Sequence, residues 1–529
     1  MIMFDKSLNK YYIFALGILG ISYALLNTIG TEFLLILGIL VLIFLLFYIL
    51  IKNILKELDV KILALAVSVE IFFLFLISKS LMGAEFWGDE IGVLNIARGS
   101  FLDISDRVIS HAVVPPFDYW MLHLWLKFLS FFNYPVYLNE FLFRIPYFIF
   151  HVFSSLFFGL IVKILISRKK ILNIISSPFE VNIPVLLSIF LYFFNPMLLL
   201  YGFEIRYFSF AVLGVVLTLF FYFKNKLFSW EFFLILVLLC LNSIFEFVLL
   251  FPILLLLMKN KDEKIYVLPL FVAILYLMIE PRLNFYKDNM ITSFESFELI
   301  KTALQRFYHL IFISYQHIST LLLLIYLFFK RKANDKYLLK GLFLLVFISL
   351  IVIWQSYEKR YFDFDYRHLL VTVPFYLLLF IYPLRLIKNK TQTKIYNFWL
   401  FSLIIFTIAR SLTIVPLFIN KVSFQLKETI QESNSTQNYF VYIGDDEFGL
   451  SEFKLRAIYW YMESYNRNYS FFSSYKDLCE HPCQELEQCI IITKSHPNNC
   501  LDNDDSYIKK TNNFMNYYHY ENSPLQKLK

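Results

Sequence analysis

The sequence predicts an all-α polytopic membrane protein with about thirteen transmembrane helices, helical loops on the outer side and a small soluble α/β domain at the C-terminus. Hydrophobic residues make up 59% of the 529 positions and charged residues only 17%, whereas soluble domains carry about a quarter charged residues. The apolar residues come in long runs that match a hydrocarbon core about 30 Å thick crossed by a helix. Basic residues cluster between alternate runs.

The predicted transmembrane helices are the apolar runs between charged segments. The first run follows two lysines, but it has no clear small-residue cleavage site and a second run comes at once, so we expect an uncleaved helix rather than a signal peptide. The predicted helices are 11–28, 33–51, 62–81, 145–167, 183–201, 207–223, 228–243, 244–258, 265–280, 307–329, 338–355, 367–387 and 396–418.

The placement of basic residues predicts the orientation, because Lys and Arg concentrate in short cytoplasmic loops. A cytoplasmic N-terminus places these basic residues on the inner side: Lys6, Lys10, Lys52, Lys56, Lys61, Arg168, Lys169, Lys170, Lys224, Lys226, those from Lys259 to Lys264, Lys330, Arg331, Lys332, and those from Lys388 to Lys394. The sequence therefore predicts a multi-pass protein of the plasma or inner membrane whose N-terminus is cytoplasmic and whose C-terminal domain lies outside.

The polar segments divide the chain into three predicted regions. Two transmembrane helices occupy 1–60, a membrane core occupies 61–419 and contains a long outer loop at 82–144, and a soluble outer domain occupies 420–529. A further segment at 281–306 is amphipathic and is expected on the membrane surface. In the last region NYFVYIGDD and CIIITKS are typical of strands, and LSEFKLRAIYWYMESY is typical of an amphipathic helix.

Four of the five cysteines lie close together in the predicted outer domain. An even cluster on the oxidising side of a membrane favours one or two disulfides, with three possible full pairings. A zinc site is the alternative, although the C-x3-C-x5-C-x10-C spacing lacks paired C-x2-C elements. The four are Cys479, Cys483, Cys489 and Cys500.

Two stretches of the loop at 82–144 carry candidate functional residues. In AEFWGDEIGVLNIARG, Asp89 and Glu90 follow a transmembrane helix; they could serve only as dipole partners of a helix start, or a partly desolvated carboxylate could act as a base. In HAVVPPFDYWMLHLWLK, the double proline predicts a helix start. His111 and Tyr119 flank it, and His111 taken alone is more typical of a loop histidine.

Two further stretches place charges at the outer ends of transmembrane helices. In LLLYGFEIRYFSF, Glu204 and Arg206 are either functional or a structural ion pair. The stretch YEKRYFDFDYRHLLVTVP holds more cations than an outer connection usually carries. Arg geometry suits a phosphate or pyrophosphate, and a snorkelling interfacial belt is the alternative. The cations there are Lys359, Arg360, Arg367 and His368.

The order of these stretches resembles the GT-C clan of membrane glycosyltransferases, in particular protein O-mannosyltransferases, aminoarabinose transferases of lipid A and related bacterial enzymes. The resemblance covers roughly residues 60–420. The elements that carry it are GDE at 88–90, His111 with Pro115, Pro116 and Tyr119, FRIPYF around Arg144, FEIRYF around Glu204 and Arg206, and YRHLLVTVP. Gly202-Phe203 stands where the clan usually has Ser-Gln, and an alanine and two valines separate His111 from the prolines.

The resemblance implies an inverting transfer of a sugar from a polyprenyl- or dolichyl-phosphate carrier to a lipid, glycan or protein on the outer face. By the same resemblance Asp89 is the base, Glu90 orients the acceptor or a metal ion, and His111, Tyr119 and Glu204 line the loop on the acceptor side. The leaving phosphate would be held by Arg206, Lys359, Arg360, Arg367 and His368.

Cofactor dependence stays open, because no dedicated metal cage is visible and Asp89 with Glu90 could still contribute ligands to Mg²⁺ or Mn²⁺. The expected partners are the lipid bilayer, the lipid-linked donor and the acceptor, and nucleic acid is not expected. The alternative function is a transporter or flippase for lipid-linked saccharides, although related halves and broken helices near the midplane are not evident. A ligase that joins whole lipid-linked glycans is a third possibility.

Overall fold

The structure is a computed structural model of the 529-residue chain. The residues that it describes are 31–77, 86, 88–111, 116–131, 140–167, 178–226, 229–242, 370, 373–381, 390–422, 438–442, 458, 460–462, 469–472, 488–494, 507–511 and 515–521. Two compact units contain these residues: a first unit of 1–76, 96–125 and 145–414, and a second unit of 77–95, 126–144 and 415–529.

Helices dominate the described part of the chain. They are α1 (Thr31–Glu57), α2 (Val60–Ile77), α3 (Gly88–Ala97), α4 (Phe101–His111), α5 (Phe117–Phe131), α6 (Glu140–Ser167), α7 (Pro178–Phe193), α8 (Pro196–Gly202), α9 (Phe208–Phe223), α10 (Trp230–Asn242), α11 (Val373–Ile381) and α12 (Lys390–Val422).

Three of the described helices are long and apolar enough to cross a membrane, within Gly38–Glu57, Glu140–Ser167 and Lys394–Thr413. The bent pair α7 and α8 would make a fourth if it counts as one crossing. Large apolar side chains on α1, α2 and α12 are open to the surroundings, with Phe44, Phe75 and Phe398 at 70%, 71% and 72% exposure. Such faces are stable against lipid rather than water. The chain is an integral membrane protein.

The predicted transmembrane segments within the described residues coincide with helices. The segments at 33–51, 62–81, 145–167, 207–223, 228–243 and 396–418 correspond to α1, α2, α6, α9, α10 and α12, and 367–387 contains α11. The segments at 11–28, 244–258, 265–280, 307–329 and 338–355, together with the surface segment at 281–306, lie outside the described residues. The total of about thirteen therefore stays a prediction.

One predicted helix, 183–201, is two helices that meet at an angle of 57°. The break lies at Asn195-Pro196, because Pro196 has no backbone N–H and cannot continue α7. The side-chain oxygen of Asn195 accepts hydrogen bonds from the backbone N–H groups of Met197 and Leu198, at 3.1 and 3.3 Å. This cap begins a new helix in a new direction.

Close helix packing holds the first unit together at two glycines. A Cβ atom added to Gly159 of α6 would lie 2.5 Å from Cγ1 of Ile189 on α7, and one added to Gly214 of α9 would lie 2.7 Å from Cδ1 of Leu239 on α10. Small residues let helix backbones approach closely in a membrane. In the same unit, Ser155 of α6 donates a hydrogen bond to Glu70 of α2 at 2.6 Å.

The second unit contains a five-stranded mixed sheet. Its strands are β1 (Asn438–Tyr442), β2 (Tyr469–Phe472), β3 (Gln488–Lys494), β4 (Tyr507–Thr511) and β5 (Met515–Glu521), in the order β2-β1-β3-β5-β4. β1 is parallel to β2 and β3, and β5 is antiparallel to β3 and β4. β1 and β3 coincide with the two segments predicted as strands, and the described residues 458 and 460–462 of the predicted amphipathic helix are helical.

Candidate functional site

Asp89 lies in the first turn of α3 in the second unit. Its side chain is not among those that the structure describes, but the residues around it are. Glu90 follows it directly and is 1% exposed, and Phe86, three positions earlier, is also 1% exposed. The described contacts therefore hold the backbone on both sides of Asp89.

On the C-terminal side of Asp89, Glu90 forms a two-point ion pair with Arg144 of α6. Nε of Arg144 donates to Oε1 of Glu90 at 3.1 Å, and Nη2 donates to Oε2 at 2.6 Å. Both side chains are buried, at 5% and 1% exposure. The planar guanidinium fork matches a carboxylate at two points, and this fixes orientation as well as distance.

On the N-terminal side of Asp89, the anchor is Phe86. Its backbone N–H donates a hydrogen bond to the hydroxyl oxygen of Tyr461 at 2.8 Å. The same hydroxyl donates to Oε1 of Glu140, the first residue of α6, at 3.2 Å. Tyr461 is fully buried in the helical segment 460–462. Its hydroxyl group thus accepts one hydrogen bond and donates another, which satisfies a buried polar group.

Aromatic rings enclose Phe86 and complete the anchor. The rings of Phe143 and Trp460 meet it edge to face, at centroid distances of 5.5 and 5.9 Å. The guanidinium carbon of Arg144 lies 5.3 Å from the centre of the Phe86 ring. Edge-to-face and cation–π contacts of this kind add to the burial of the rings themselves. We call Phe86, Glu90, Glu140, Arg144 and Tyr461, with Phe143 and Trp460, the acidic-loop cluster.

The local sequence explains why α6 contributes two charged residues to this cluster. Glu140 lies in the first turn of the helix, where a carboxylate is favoured by the positive end of the helix dipole. Arg144 follows four positions later, so both side chains lie on one face of α6. The sequence resemblance identified Arg144 as part of a motif without assigning it a partner, and it gave Tyr461 no role.

The first unit holds a second polar cluster, at the start of α5. Asp118 lies in the first turn of that helix and is 2% exposed. Burial raises the pKa of its carboxyl group from 3.8 to about 7, while the Tyr147 hydroxyl and the charge of Arg206 act in the opposite direction. Oδ1 of Asp118 has no hydrogen-bond partner among the described residues. Near neutral pH this acid therefore exists as a mixture of charged and neutral forms.

Glu204 and Arg206 lie in the turn between α8 and α9 of the same unit. Nη1 of Arg206 lies 3.6 Å from Oε1 of Glu204, with side-chain exposures of 21% and 1%. The backbone N–H of Arg206 donates to the carbonyl of Glu204 at 2.7 Å, and its guanidinium carbon lies 5.4 Å from the centre of the Phe208 ring. The ion pair predicted as the structural alternative is present, and Arg206 keeps part of its surface accessible.

The remaining predicted site residues are described in part or not at all. Tyr119 is buried in α5, at 6% exposure. His111 ends α4 and Cys489 lies in β3, opposite Asn438 and Tyr520, but their side chains are not described. The late cationic residues and three of the cysteines lie outside the described residues: Lys359, Arg360, Arg367, His368, Cys479, Cys483 and Cys500. Their roles and the disulfide pairing stay predictions.

Sequence reasoning missed Asp118, although a signal for it was present. An acid two positions after Pro116 falls in the first turn of the helix that the prolines begin. A first-turn acid in an otherwise apolar, aromatic helix becomes buried when that helix packs. Tyr147 and Arg206, which interact with Asp118, lie far from it in the sequence.

The donor groups of the described residues do not form a metal site. In the part of the chain that the structure describes, no group of three or more His, Cys, Asp or Glu side chains is placed to hold an ion. Both oxygens of Glu90 accept from Arg144, so a cation at Glu90 would compete with a buried positive charge. Glu90 as it lies here therefore does not fit the predicted role of a metal ligand.

No protein-family model and no curated protein sequence matches the chain. Among solved structures, the crystal structure of ArnT from Cupriavidus metallidurans in the apo state is similar, with a TM-score of 0.48 and 10% sequence identity over 86% of this chain and 97% of that chain.

Proposed function

We propose that the chain is a membrane glycosyltransferase that moves a sugar from a polyprenyl-phosphate carrier to a lipid, glycan or protein acceptor. The observation that carries the proposal is the anchored segment 86–90, which contains Asp89 and which we call the acidic loop. The GDE element begins a helix whose first turn is held on one side by the Phe86–Tyr461 hydrogen bond and on the other by the Glu90–Arg144 ion pair. Preorganised geometry of this kind is what a catalytic carboxylate needs.

The chemistry is a single displacement at the anomeric carbon. Asp89 accepts the proton of the acceptor hydroxyl, the hydroxyl oxygen bonds to the anomeric carbon, and the bond from that carbon to the phosphate oxygen breaks. The configuration at the anomeric carbon inverts, because only one displacement takes place. One base therefore suffices, and Glu90, already paired with Arg144, acts by orienting the loop rather than by transferring protons.

The leaving group is a polyprenyl phosphate, whose negative charge grows as the bond breaks. Cations near that charge stabilise the transition state more than the ground state. Arg206 is the described candidate, since its side chain is 21% exposed and its guanidinium group is always charged. Lys359, Arg360, Arg367 and His368 complete the proposed phosphate-binding set. His111, Tyr119 and Glu204 are proposed to line the acceptor side.

A donor panel tests this function against its transport alternative. The purified protein is reconstituted in vesicles with radiolabelled polyprenyl-phosphate sugars and with crude membrane lipids, glycans and proteins as acceptors. The proposal predicts that label moves from the carrier to an acceptor, with inversion at the anomeric carbon. Label that crosses the bilayer while still attached to its carrier would instead establish a flippase. If the product retains the anomeric configuration of the donor, the single displacement is wrong.

A further inference from the structure

The C-terminal segment 415–529 contributes directly to the acidic loop. Its residues Trp460 and Tyr461 belong to the same compact unit as Phe86 and Glu140. The side chains of Ile458, Trp460, Tyr461 and Met462 are all at most 2% exposed, so this helical segment is buried. Tyr461 lies 375 positions from Phe86 in the chain, yet their hydrogen bond measures 2.8 Å.

The contact of Tyr461 is made to the backbone of the loop. The donor is the N–H of Phe86, three positions before Asp89. A hydrogen bond to a backbone N–H constrains where the chain runs, whatever side chains follow. The Tyr461 hydroxyl is itself held by Glu140 at 3.2 Å, and Glu140 belongs to the same helix as Arg144. Helix α6 therefore supports both anchors of the turn that carries Asp89.

We infer that Tyr461 is a positioning residue through which the C-terminal segment sets the location of Asp89. This inference rests on the proposed function of the acidic loop. Tyr461 touches neither acceptor nor donor in this account; it fixes the backbone at Phe86, while Arg144 fixes the backbone at Glu90. Loss of its hydroxyl frees one end of the turn and leaves a buried N–H without an acceptor.

The alternative is a purely structural role, in which Tyr461 only stabilises the fold of the second unit. The two accounts differ in their kinetic consequences. A positioning residue changes the geometry of the chemical step, and a shift of about 1 Å in a catalytic group can cost about 100-fold in rate. A residue that only stabilises the fold changes the amount of active protein and its thermal midpoint, and leaves the turnover of the folded fraction unchanged.

The primary test is Tyr461→Phe, which keeps the buried ring and removes only the hydroxyl. We expect kcat for sugar transfer to fall by about 10- to 100-fold, because a small displacement of the base is costly. We expect the donor KM to change by less than about 3-fold, because Tyr461 makes no donor contact. Tyr192→Phe removes the hydroxyl of another buried tyrosine, in α7, and is expected to keep the kcat of the wild type.

A second pair of variants keeps the test valid if Tyr461→Phe folds poorly. Glu140→Gln retains an oxygen that accepts the Tyr461 hydrogen bond, whereas Glu140→Met has similar length and no such oxygen. The inference predicts that kcat of Glu140→Gln stays several-fold above that of Glu140→Met at equal amounts of folded protein. Equal kcat values for the two variants would overturn it.

Hydrogen exchange separates this inference from the proposed function. Peptides that cover residues 86–97 are followed by mass spectrometry in the intact protein. Exchange at the start of α3 should be faster in Tyr461→Phe than in the wild type and in Tyr192→Phe. Unchanged exchange together with unchanged kcat overturns the positioning role, even if transfer depends on Asp89. Faster exchange in a protein that transfers no sugar refutes the proposed function and leaves the structural link intact.

Discussion

Asp118 shows at the scale of one residue how burial creates a group that titrates near neutral pH. Its pKa rises from 3.8 to about 7 because the first turn of α5 is buried. The folded protein therefore holds a proton on Asp118 at pH values where the unfolded chain has lost it. The contribution of this proton to the free energy of unfolding is fully present below about pH 4 and is lost as the pH rises from about 4 to 7.

The first prediction concerns Asp118→Asn, which keeps the shape and removes the titration. The free energy of unfolding of the wild type should fall between pH 5 and pH 8 by roughly 3 kcal/mol more than that of the variant. Thermal midpoints in detergent at the two pH values measure this difference. Asp59→Asn makes the same change at an exposed acid between α1 and α2, and its thermal midpoint should have the pH dependence of the wild type. Parallel pH dependence in all three proteins would contradict the assignment.

The second prediction concerns the buried ion pair of Glu90 and Arg144. Arg144→Met leaves the Glu90 charge buried without its partner, which typically costs about 3–5 kcal/mol. Glu90→Gln combined with Arg144→Met removes both charges, so the double variant should be more stable than Arg144→Met by at least about 1 kcal/mol. Chemical denaturation of the purified variants measures this coupling. If the unfolding free-energy costs of the substitutions at Glu90 and Arg144 simply add in the double variant, the two groups act independently.

At the scale of elements, close packing between α6 and α7 depends on Gly159. The third prediction is that Gly159→Ala destabilises the protein by about 1–3 kcal/mol, because the new methyl group must displace Ile189. Gly38→Ala in α1 is the matched control, since nothing lies within 4 Å of the position that its Cβ would occupy. Ala is favoured over Gly inside a helix by about 1 kcal/mol, so this control should raise the thermal midpoint. Equal effects at both positions would contradict the packing argument.

The sequence predicted the described elements well because most of them are defined by local patterns. Long apolar runs and the helix start at Pro115-Pro116 each carry their signal within a few neighbouring residues. The bend at Asn195 was missed, since apolar character continues across it, although Asn-Pro is itself a turn signal. Helix α4, at Phe101–His111, was also missed, although the outer loop that contains it was predicted to be partly helical.

The contacts of the candidate site could be predicted far less well. GDE, FRIPYF and FEIRYF were found in the sequence because each is a local pattern. The pairing of Glu90 with Arg144 and the support from Tyr461 join residues far apart in the chain. Such contacts are decided by tertiary packing, and a single sequence contains no local signal for them.

At the scale of the whole molecule, the orientation in the membrane follows from the charge pattern alone. The fourth prediction is that the N-terminus lies in the cytoplasm and the segment 420–529 outside, because the basic loops fall on one side. Epitope tags at the two termini, exposed to protease in intact and in permeabilised cells, measure this. The C-terminal tag should be cleaved in intact cells and the N-terminal tag only after permeabilisation. The reverse pattern would put the acidic loop on the wrong face for an outer-side acceptor.

The proposed activity of the whole molecule depends on one carboxylate. General acid–base catalysis by a positioned side chain typically contributes about 100- to 10,000-fold to a rate. Asp89→Asn keeps the size of the side chain and the start of α3, so the protein should insert and fold normally. Asp59→Asn makes the same chemical change at an exposed position and controls for the loss of a charge.

The most direct test compares the initial rate of sugar transfer of the wild type, Asp89→Asn and Asp59→Asn, reconstituted in the same vesicles with the same polyprenyl-phosphate donor. The account predicts that Asp89→Asn loses about 100-fold or more of the rate while donor binding persists, and that Asp59→Asn matches the wild type. A fully active Asp89→Asn would remove Asp89 from the mechanism and contradict the central claim.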